Sequence, residues 1–410
     1  MIINKVICFE YNKLIRLIFF SGILFVSGCN LDSETKTEKP PEILPVASPE
    51  PPQPTPYNTK AKLIAVGDIM MHGTQIRSGY NAQTKTYSYQ AFFTEVKDIL
   101  SQGDWVIGNL ETTLAGPESG YTGYPQFNAP AALADGIKWA GFNILTTANN
   151  HSLDRREKGV LKTLENLRDR GLYPVGTAAS LEESQQILML EKNEIIMAFL
   201  AYSYGTNGIP IPKGKDYLVN LINEQKMIQD ITKARENGAD IVTVALHFGA
   251  EYQRQPNAEQ KQLVANLVNA GADIILGSHP HVVQPYQIFK VTDKNGKTRQ
   301  AVAIYSLGNF ISNQRKKYTD LGIIFQVNIQ KNFPEETMEI SAVEALPTWV
   351  HRYRKNGKLN FRILSLEQVV TTKNDPLLQS RDYSLLEQYL TQMNSHINSL
   401  NIPAAAKVSR

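Results

Sequence analysis

The sequence predicts an α/β fold, and three observations lead to this prediction. Apolar runs of strand length recur along the chain. Stretches with helical spacing of apolar residues lie between them. Most of the runs end at a polar or ionisable residue, which is where ligands bind at the carboxyl edge of an open α/β sheet.

Five apolar runs are predicted as strands that are buried on both faces, because each lacks the polar alternation of a half-exposed strand. Each run precedes one or more polar residues: 63–66 precedes Asp68, 105–107 precedes Asn109 and Glu111, 142–145 precedes Asn149, Asn150 and His151, 241–246 precedes His247, and 274–276 precedes His279 and His281.

Helices are predicted between these strands, around 160–167, 227–231 and 263–268. Gly171, Gly238 and Gly271 follow the helical stretches and would end them. Beyond Val302 the pattern favours strands at 301–305, 321–329 and 359–364, and then a helix over about 376–400. No internal repeat is visible.

The N-terminus has the organisation of an export signal. Lys5, Lys13 and Arg16 precede an apolar run over 17–26, and the small residues before Cys29 resemble a lipobox, the cleavage and acylation motif of bacterial lipoproteins. We therefore expect residues 1–29 to be a lipoprotein-type signal, with Cys29 as the lipidated mature N-terminus. The alternative is an uncleaved signal anchor, for which the apolar run is short.

Four regions follow from these patterns. After the signal, residues 30–60 are rich in proline and predict an extended tether. A folded domain is predicted over 61–365, and a C-terminal helical extension over 366–410. Tether and signal together predict an extracytoplasmic protein that is anchored to a membrane.

Composition excludes two classes of site. The formal net charge is only +3, from 42 basic and 39 acidic residues, so no basic stripe for nucleic acid is expected. The only cysteines, Cys8 and Cys29, lie within the first thirty residues. The folded body therefore offers no thiolate cluster and no internal disulfide.

The polar strand ends predict a divalent metal site, because imidazole, carboxylate and amide oxygen together suit manganese, iron or zinc. The residues concerned are Asp68, Glu111, Asn150, His151, His247, His279 and His281. Each has another possible interpretation when taken alone: Asp68 as a helix cap, Asn150 as a turn residue. His72 is expected in a loop or helix, and His351 and His396 on the surface.

The order of these motifs resembles the CapA/PgsA poly-γ-glutamate capsule synthesis family, a branch of the calcineurin-like metallophosphoesterase superfamily. The matching segments cover about residues 61–330 and are 67–70 (GDIM), 109–111 (NLE), 148–154 (ANNHSLD), 204–210 (YGTNGIP), 247–252 (HFGAEY), 277–285 (GSHPHVVQP) and 306–310 (SLGNF).

The resemblance implies a layered αββα sandwich with two metals. Asp68, Glu111, Asn150, His247, His279 and His281 would be the ligands, with Glu111 bridging, and His151 would assist the leaving group with Asp154 orienting it. Asn109, Asn207, Glu251 and Asn309, in the remaining matched segments, are candidates for binding substrate. Met70 stands where the superfamily has a histidine ligand, as is usual for the capsule branch.

We therefore expect a tethered protein of poly-γ-glutamate-type capsule assembly with a two-metal hydrolase site. Hydroxide held between the metals would attack a phosphorus or carbonyl centre, and His151 would act as the acid. An anionic polymer and membrane synthase subunits are the expected partners. The alternative is a non-catalytic polymer-binding or scaffold subunit, which Met70 favours. A solute-binding lipoprotein would not explain the histidines.

Overall fold

Two β-sheets lie face to face in the computed structural model, which describes residues 55–292, 296, 298–355 and 357–401. The predicted signal, Cys29 and most of the proline-rich tether lie outside these residues. The first strand begins at Tyr57, before the domain boundary predicted at residue 61. Tyr57 pairs with Phe333, and the two rings stack 4.5 Å apart.

The strands of the described residues are β1 (Tyr57–Ile69), β2 (Tyr80–Asn81), β3 (Thr86–Tyr87), β4 (Trp105–Leu110), β5 (Ile144–Thr146), β6 (Tyr173–Val175), β7 (Leu188–Lys192), β8 (Ile195–Ser203), β9 (Ile241–His247), β10 (Ile274–Ser278), β11 (Val283–Thr292), β12 (Thr298–Leu307), β13 (Asn309–Ile311), β14 (Leu321–Phe333), β15 (Thr337–Lys355) and β16 (Lys358–Ser365).

The helices are α1 (Gly73–Ser78), α2 (Lys97–Leu100), α3 (Ala132–Trp139), α4 (Arg156–Arg168), α5 (Leu181–Ser184), α6 (Glu224–Glu236), α7 (Ala258–Ala270), α8 (Leu366–Thr372) and α9 (Ser380–Ile397). Short 3-10 turns occur at Gln90–Phe92, Thr94–Val96, Pro117–Ser119 and Asp216–Leu218.

The first sheet has the order β16-β15-β14-β1-β4-β5-β6, with the short β13 also paired to β1. Its β1, β4, β5 and β6 run parallel, whereas β14, β15 and β16 are antiparallel. The second sheet has the order β11-β12-β10-β9-β8-β7, parallel in the middle with antiparallel β11 and β7 at its edges.

Alternate residues of β1 pack on opposite sides of the first sheet. Leu63 and Ala65 join the core between the two sheets, whereas Ile64 and Val66 face the outer core with α3. The second sheet is covered on its outer face by α6 and α7. The central strands of both sheets are therefore buried on both faces, and the predicted α/β fold with αββα layers is confirmed.

The C-terminal helix α9 packs on this body through Leu386, Met393 and Ile397, which join the core between the sheets. Full burial of three such side chains stabilises the fold by about 5 to 9 kcal/mol before entropy is counted. In the part of the chain that the structure describes, no helix is long and apolar enough to cross a membrane.

The prediction that His351 and His396 are surface residues is wrong. His351 is only 7% exposed on β15, where its Nδ1 accepts a 3.0 Å hydrogen bond from Arg362 Nε on the adjacent β16. His396 is half-buried on α9, with its Nε2 3.0 Å from the carbonyl oxygen of Val283. Neither contact is visible from local sequence, because the first depends on the pairing of β15 with β16 and the second joins segments more than a hundred residues apart.

Candidate metal centre

The carboxyl ends of strands from both sheets meet at one site. The first sheet brings Asp68 at the end of β1, Glu111 after β4, and Asn150 and His151 after β5. The second sheet brings His247 at the end of β9, with His279 and His281 just after β10. The structure thus places all seven strand-end residues together, from segments far apart in sequence.

Close backbone packing brings β1 and β13 into register at this site. Asp68 N donates to Gly308 O at 2.9 Å, and a Cβ on Gly67 would lie 1.8 Å from that same oxygen. Gly277 has the same constraint, since its Cβ would lie 1.9 Å from Tyr305 O. Only glycine fits at either position, because no side-chain movement relieves a clash with backbone.

Five side chains supply two overlapping groups of atoms that could ligate a metal. Donor atoms of Glu111, His247 and His279 lie within 4.8 Å of one another, and so do those of Asp68, Glu111 and His281. Glu111 belongs to both groups, which is the position that a bridging ligand would occupy. Asn150 adds an amide oxygen, 2.9 Å from His247 Nε2.

Two buried atoms of these groups, each able to ligate a metal, lack any hydrogen-bond partner among the described residues. They are Glu111 Oε1 and His279 Nδ1. An unpaired buried polar atom costs about 1 to 3 kcal/mol, and more when it is charged. The arrangement therefore fits a cation, which would accept both lone pairs, and the donor set is one that manganese, iron and zinc use.

Burial shifts the pKa values of three candidate ligands, and the shifts of the histidines suit metal ligation. Burial raises the pKa of Glu111 well above its ordinary value, and the neighbouring Asp68 carboxylate raises it further. Burial lowers the pKa of His247 well below its ordinary value and that of His279 to about 4. At neutral pH these imidazoles are neutral and keep a free lone pair, as metal ligands must.

Asn109 lies at the centre of the cluster rather than on its open side. Its Nδ2 is 2.8 Å from Asp68 Oδ1 and 3.4 Å from Glu111 Oε2, and its Oδ1 accepts from Thr146 and Asn149. These contacts orient the two carboxylates and favour a supporting role over substrate binding. The second-sheet counterpart is Ser278, whose Oγ lies 3.0 Å from His247 Nδ1.

Asn309 supports the other side of the cluster. Its Oδ1 lies 3.2 Å from His281 Nδ1, which is also 2.9 Å from Asp68 Oδ2. Its Nδ2 donates to Gln314 Oε1 and to Thr319 O, so the amide is fully used within the protein. Like Asn109, it is buried and is placed to orient ligands.

His151 faces the open side of the cluster and is held by two neighbours. Its Nδ1 lies 2.7 Å from Asp154 Oδ2, which also accepts the backbone N–H of Phe127 at 2.6 Å. The Phe127 ring packs edge-on against the imidazole at 4.7 Å. Asn207 Nδ2 lies 3.4 Å from His151 Nε2, and Asn207 Oδ1 accepts from Asn150.

Glu251 is the exposed member of the site. Its carboxylate lies within 4.8 Å of donor atoms of His279 and His281, at the side open to solvent. Tyr204, 48% exposed, packs against the His279 ring at 4.5 Å. His72 lies in the capping box of α1 and belongs to none of the donor groups among the described residues.

Some supporting residues carried no usable sequence pattern. Phe127 lies in an irregular segment, and Ser278 and Tyr204 look like ordinary loop residues. Asn149 has the composition of a turn residue in the sequence, yet its Nδ2 donates to Leu110 O and ties the end of β5 to the end of β4. Each acts through a contact with a distant residue, which spacing alone does not reveal.

Comparison with known proteins places the chain in a family. Residues 62–314 match the family model described as bacterial capsule synthesis protein PGA_cap. The chain is 29% identical over 282 residues to the capsule biosynthesis protein CapA of Bacillus anthracis, covering 67% of this chain and 65% of that one. It is 30% identical over 319 residues to the PGA biosynthesis protein CapA of Bacillus subtilis, covering 73% and 76%.

Among solved structures, the NAD nucleotidase NadN of Haemophilus influenzae is similar, with a TM-score of 0.46 and 13% identity over 82% of this chain and 68% of that one. The family match spans more than half of the chain and includes all seven strand-end residues. The chain therefore belongs to the bacterial capsule synthesis family PGA_cap.

Proposed function

We propose that this protein acts in capsule biosynthesis as a metal-dependent hydrolase that is tethered to the outer face of a membrane. The observation that carries the proposal is the buried cluster of candidate ligands, in which Glu111 Oε1 and His279 Nδ1 have no hydrogen-bond partner among the described residues. A scaffold that needed only shape would have no reason to keep two buried polar atoms without hydrogen bonds at its centre.

Two divalent cations fit the donor groups, with His247, His279, Asn150 and Glu111 holding one, and Asp68, Glu111 and His281 the other. When bound, they would supply Lewis acidity and charge neutralisation at the reacting centre. The cluster holds two carboxylates, Asp68 and Glu111, and two divalent cations would outweigh their charge. We therefore expect the site to bind an anionic or polarised group of the substrate.

In the proposed reaction His151 would donate a proton to the leaving group. Its Nδ1 is engaged by Asp154, so the Nε2 atom points to the open side and faces Asn207. Asp154 fixes the ring orientation and stabilises the protonated imidazole, as a carboxylate does for a catalytic histidine. Asn207 joins His151 to Asn150 and would keep the acid aligned with the ligand set.

The substrate we propose is a bond in an anionic polymer of the poly-γ-glutamate type, either a γ-glutamyl amide or a phosphoester of its assembly. The name of the Bacillus subtilis relative, a PGA biosynthesis protein, supports this choice. Membrane synthase subunits are the proposed partners, and the N-terminal segment with Cys29 is the proposed anchor.

Elemental analysis of the purified full chain tests the metal site. We expect wild-type protein to retain divalent metal, and Asp68→Ala, Asn150→Ala and His279→Ala each to lower the metal content. His351→Gln changes a buried histidine outside the site and should leave the content unchanged. A wild-type protein that holds no divalent metal under any loading condition would contradict the proposal.

Met70 favours a second candidate function, a polymer-binding or scaffold subunit without turnover. The side chain is buried beside Asp68 at the place where the resemblance implies a histidine ligand. An assay with generic phosphodiesters and γ-glutamyl amides in the presence of manganese separates the two functions. Turnover that is lost in His151→Ala would reject the scaffold, whereas metal binding without turnover on any of these substrates would favour it.

A further inference from the structure

We propose that a group of basic side chains beside the metal centre binds the carboxylates of an acidic polypeptide strand, while one of its bonds lies over the donor cluster. We call this group the cationic wall, and it comprises Arg254, Arg315, Lys316, Lys317 and Arg352. The inference rests on the proposed function and names the part of the protein that would select its substrate.

The segment 312–319 of the cationic wall is fixed to the metal centre. Asn309, which lies 3.2 Å from His281 Nδ1, donates to Gln314 Oε1 at 2.9 Å and to Thr319 O at 2.8 Å. Both ends of the basic loop are thereby tied to one buried side chain that also contacts a candidate ligand. Arg315, Lys316 and Lys317 are exposed on that loop.

Tyr252 brings the cationic wall to the opening of the site. Lys316 Nζ lies 3.5 Å from the centre of its ring, and the ring lies 6.2 Å from that of His281. Its backbone N–H donates to the carbonyl oxygen of Pro280, between the two histidine ligands, at 2.8 Å. One side chain, Tyr252, therefore lies between the ammonium group of Lys316 and the candidate ligand His281.

A second tyrosine organises the rest of the cationic wall. The guanidinium of Arg254 lies 4.1 Å from the Tyr318 ring centre, and Lys317 Nζ lies 4.8 Å from the same ring. Arg352 reaches the loop from β15 and donates to Gln314 O at 3.2 Å. Tyr252 and Tyr318 have φ values of 66° and 69°, a left-handed conformation that costs about 1 to 2 kcal/mol for each.

The charges of the cationic wall have no acidic partners. None of its five side chains forms an ion pair within residues 55–401 as far as these are described, although Lys162 and Arg170 elsewhere do. The nearby acidic residues, Glu251 and Asp320, do not pair with it, and Asp320 accepts a hydrogen bond from Trp349 Nε1. Arg254 Nη2 is buried and without a partner among the described residues.

Like charges also lie close to each other here. Partial burial and the neighbouring Arg315 lower the pKa of Arg352. Asp320 offsets this effect only in part. Clustered cations repel one another, and an anionic ligand would relieve this repulsion. The arginines add geometry to charge, because a guanidinium pairs with a carboxylate through two parallel hydrogen bonds.

The two tyrosine rings that the cationic wall contacts favour an acidic polypeptide over nucleic acid as its ligand. Proteins that bind single-stranded nucleic acid present free aromatic faces on which bases stack. Here the rings of Tyr252 and Tyr318 each already have a cation over them. The wall therefore offers charge and hydrogen-bond donors, which a run of carboxylates needs, whereas each of these two rings already has a face covered by a cation.

Fluorescence anisotropy with labelled oligo-γ-glutamate, on the full metal-loaded chain, tests this inference. We expect the double variant Lys316→Glu, Lys317→Glu to weaken binding about tenfold or more, because two favourable charge contacts become unfavourable. Wild-type binding should also weaken as salt is raised, and the variant's should do so less. Metal content and circular dichroism should be the same in both proteins.

The matched control is Lys192→Glu, Lys290→Glu, which makes the same charge change at the far end of the second sheet. Lys192 pairs with Ile195 at the start of β8, and Lys290 pairs with Gln300 near the start of β12, opposite to the metal centre. We expect this control to bind oligo-γ-glutamate as wild type does. Equal loss in both double variants would show a general charge effect and overturn the inference.

Two further probes complete the test. Neutral oligoglutamine of the same length should not bind, and single-stranded oligothymidine should bind more weakly than oligo-γ-glutamate. If oligothymidine binds as tightly, or if the Lys316, Lys317 variant binds as wild type, the cationic wall is not an acidic-polypeptide site. Loss of binding with intact metal content supports the inference. If oligo-γ-glutamate binds to a protein that never holds metal, the proposed function is rejected, whereas the inference about the cationic wall is retained.

Discussion

His151 and Asp154 lie three residues apart and meet in a single turn after β5. The carboxylate oxygen Asp154 Oδ2 accepts from both His151 Nδ1 and the Phe127 backbone, so it holds the ring from one side while the Phe127 ring packs against another. This arrangement leaves only Nε2 facing the open side. It therefore separates the residue that would transfer a proton from the residue that positions it.

Replacing Asp154 tests this division. Asp154→Asn retains an acceptor but removes the charge that stabilises a protonated His151, so we expect kcat to fall by about 100-fold with little change in KM. The measurement is steady-state kinetics on the substrate that wild type turns over, with metal content as the control. An unchanged kcat would show that Asp154 has only a structural role.

His351 provides a pH-dependent prediction outside the site. Burial and then Arg362 lower its pKa to about 4, from an ordinary value of about 6.5. The unfolded chain therefore binds a proton that the folded chain does not, between these two values. The contribution of this neutral histidine to stability is complete above about pH 6.5 and is lost as the pH falls toward 4.

We therefore expect His351→Gln to flatten the fall in stability below pH 6.5. The slope that one histidine adds is at most about 1.4 kcal/mol per pH unit. Urea unfolding of wild type and variant at several pH values between 4 and 7 measures the difference. Parallel curves for the two proteins would contradict the prediction.

At the scale of elements, Gly277 is the point where β10 passes closest to β12. A Cβ there would lie 1.9 Å from Tyr305 O, so Gly277→Ala must separate two central strands just before the histidine ligands. We expect the free energy of unfolding to fall by about 3 kcal/mol or more. Gly205→Ala is the matched control, because a Cβ at Gly205 would have no heavy atom within 4 Å. Similar losses in both variants would refute this reason.

The strands that the sequence predicted best are those buried on both faces, such as β1 and β9, since a continuous apolar run needs no partner to be recognised. The long β15 was not predicted. It carries charged residues and Pro347, and its alternation is interrupted, so its local pattern does not favour a strand. It forms because β14 and β16 pair with it on both sides.

The candidate site was predictable in its residue types but not in its geometry. Asp68, Glu111 and His247 each follow an apolar run, and that placement is a local pattern. The supporting roles of Asn109 and Asn309 are not local, because their amides bridge residues more than twenty positions away. From the sequence, Asn109 and Asn309 are candidates for binding substrate, whereas in the structure their amide groups form hydrogen bonds with other residues of the protein.

At the scale of the whole molecule, the candidate metal centre lies where the two sheets meet. Asp68, Glu111 and Asn150 come from the first sheet, and the three candidate histidine ligands come from the second. A cation bound at this junction would stabilise the packed state. At a free cation concentration of about 100 times Kd, linkage gives about 2.7 kcal/mol.

Thermal unfolding measures this linkage. We expect added manganese to raise the unfolding midpoint of wild type by a few degrees or more, and chelation to lower it. His279→Ala removes one of the second-sheet ligands and should abolish most of the manganese effect while the Lys192→Glu, Lys290→Glu variant retains it. An equal rise in His279→Ala would place the stabilising cation elsewhere on the chain.

The division of the ligands between two sheets also has a consequence for kinetics. The site does not exist until β1, β4 and β5 have packed against β9 and β10. We expect this packing to come late in folding, because these segments are far apart in the chain. A cation that binds only after this step stabilises the native state and not the transition state. Manganese should therefore slow unfolding and leave the folding rate unchanged. The cation would then protect the folded protein against unfolding without assisting its folding.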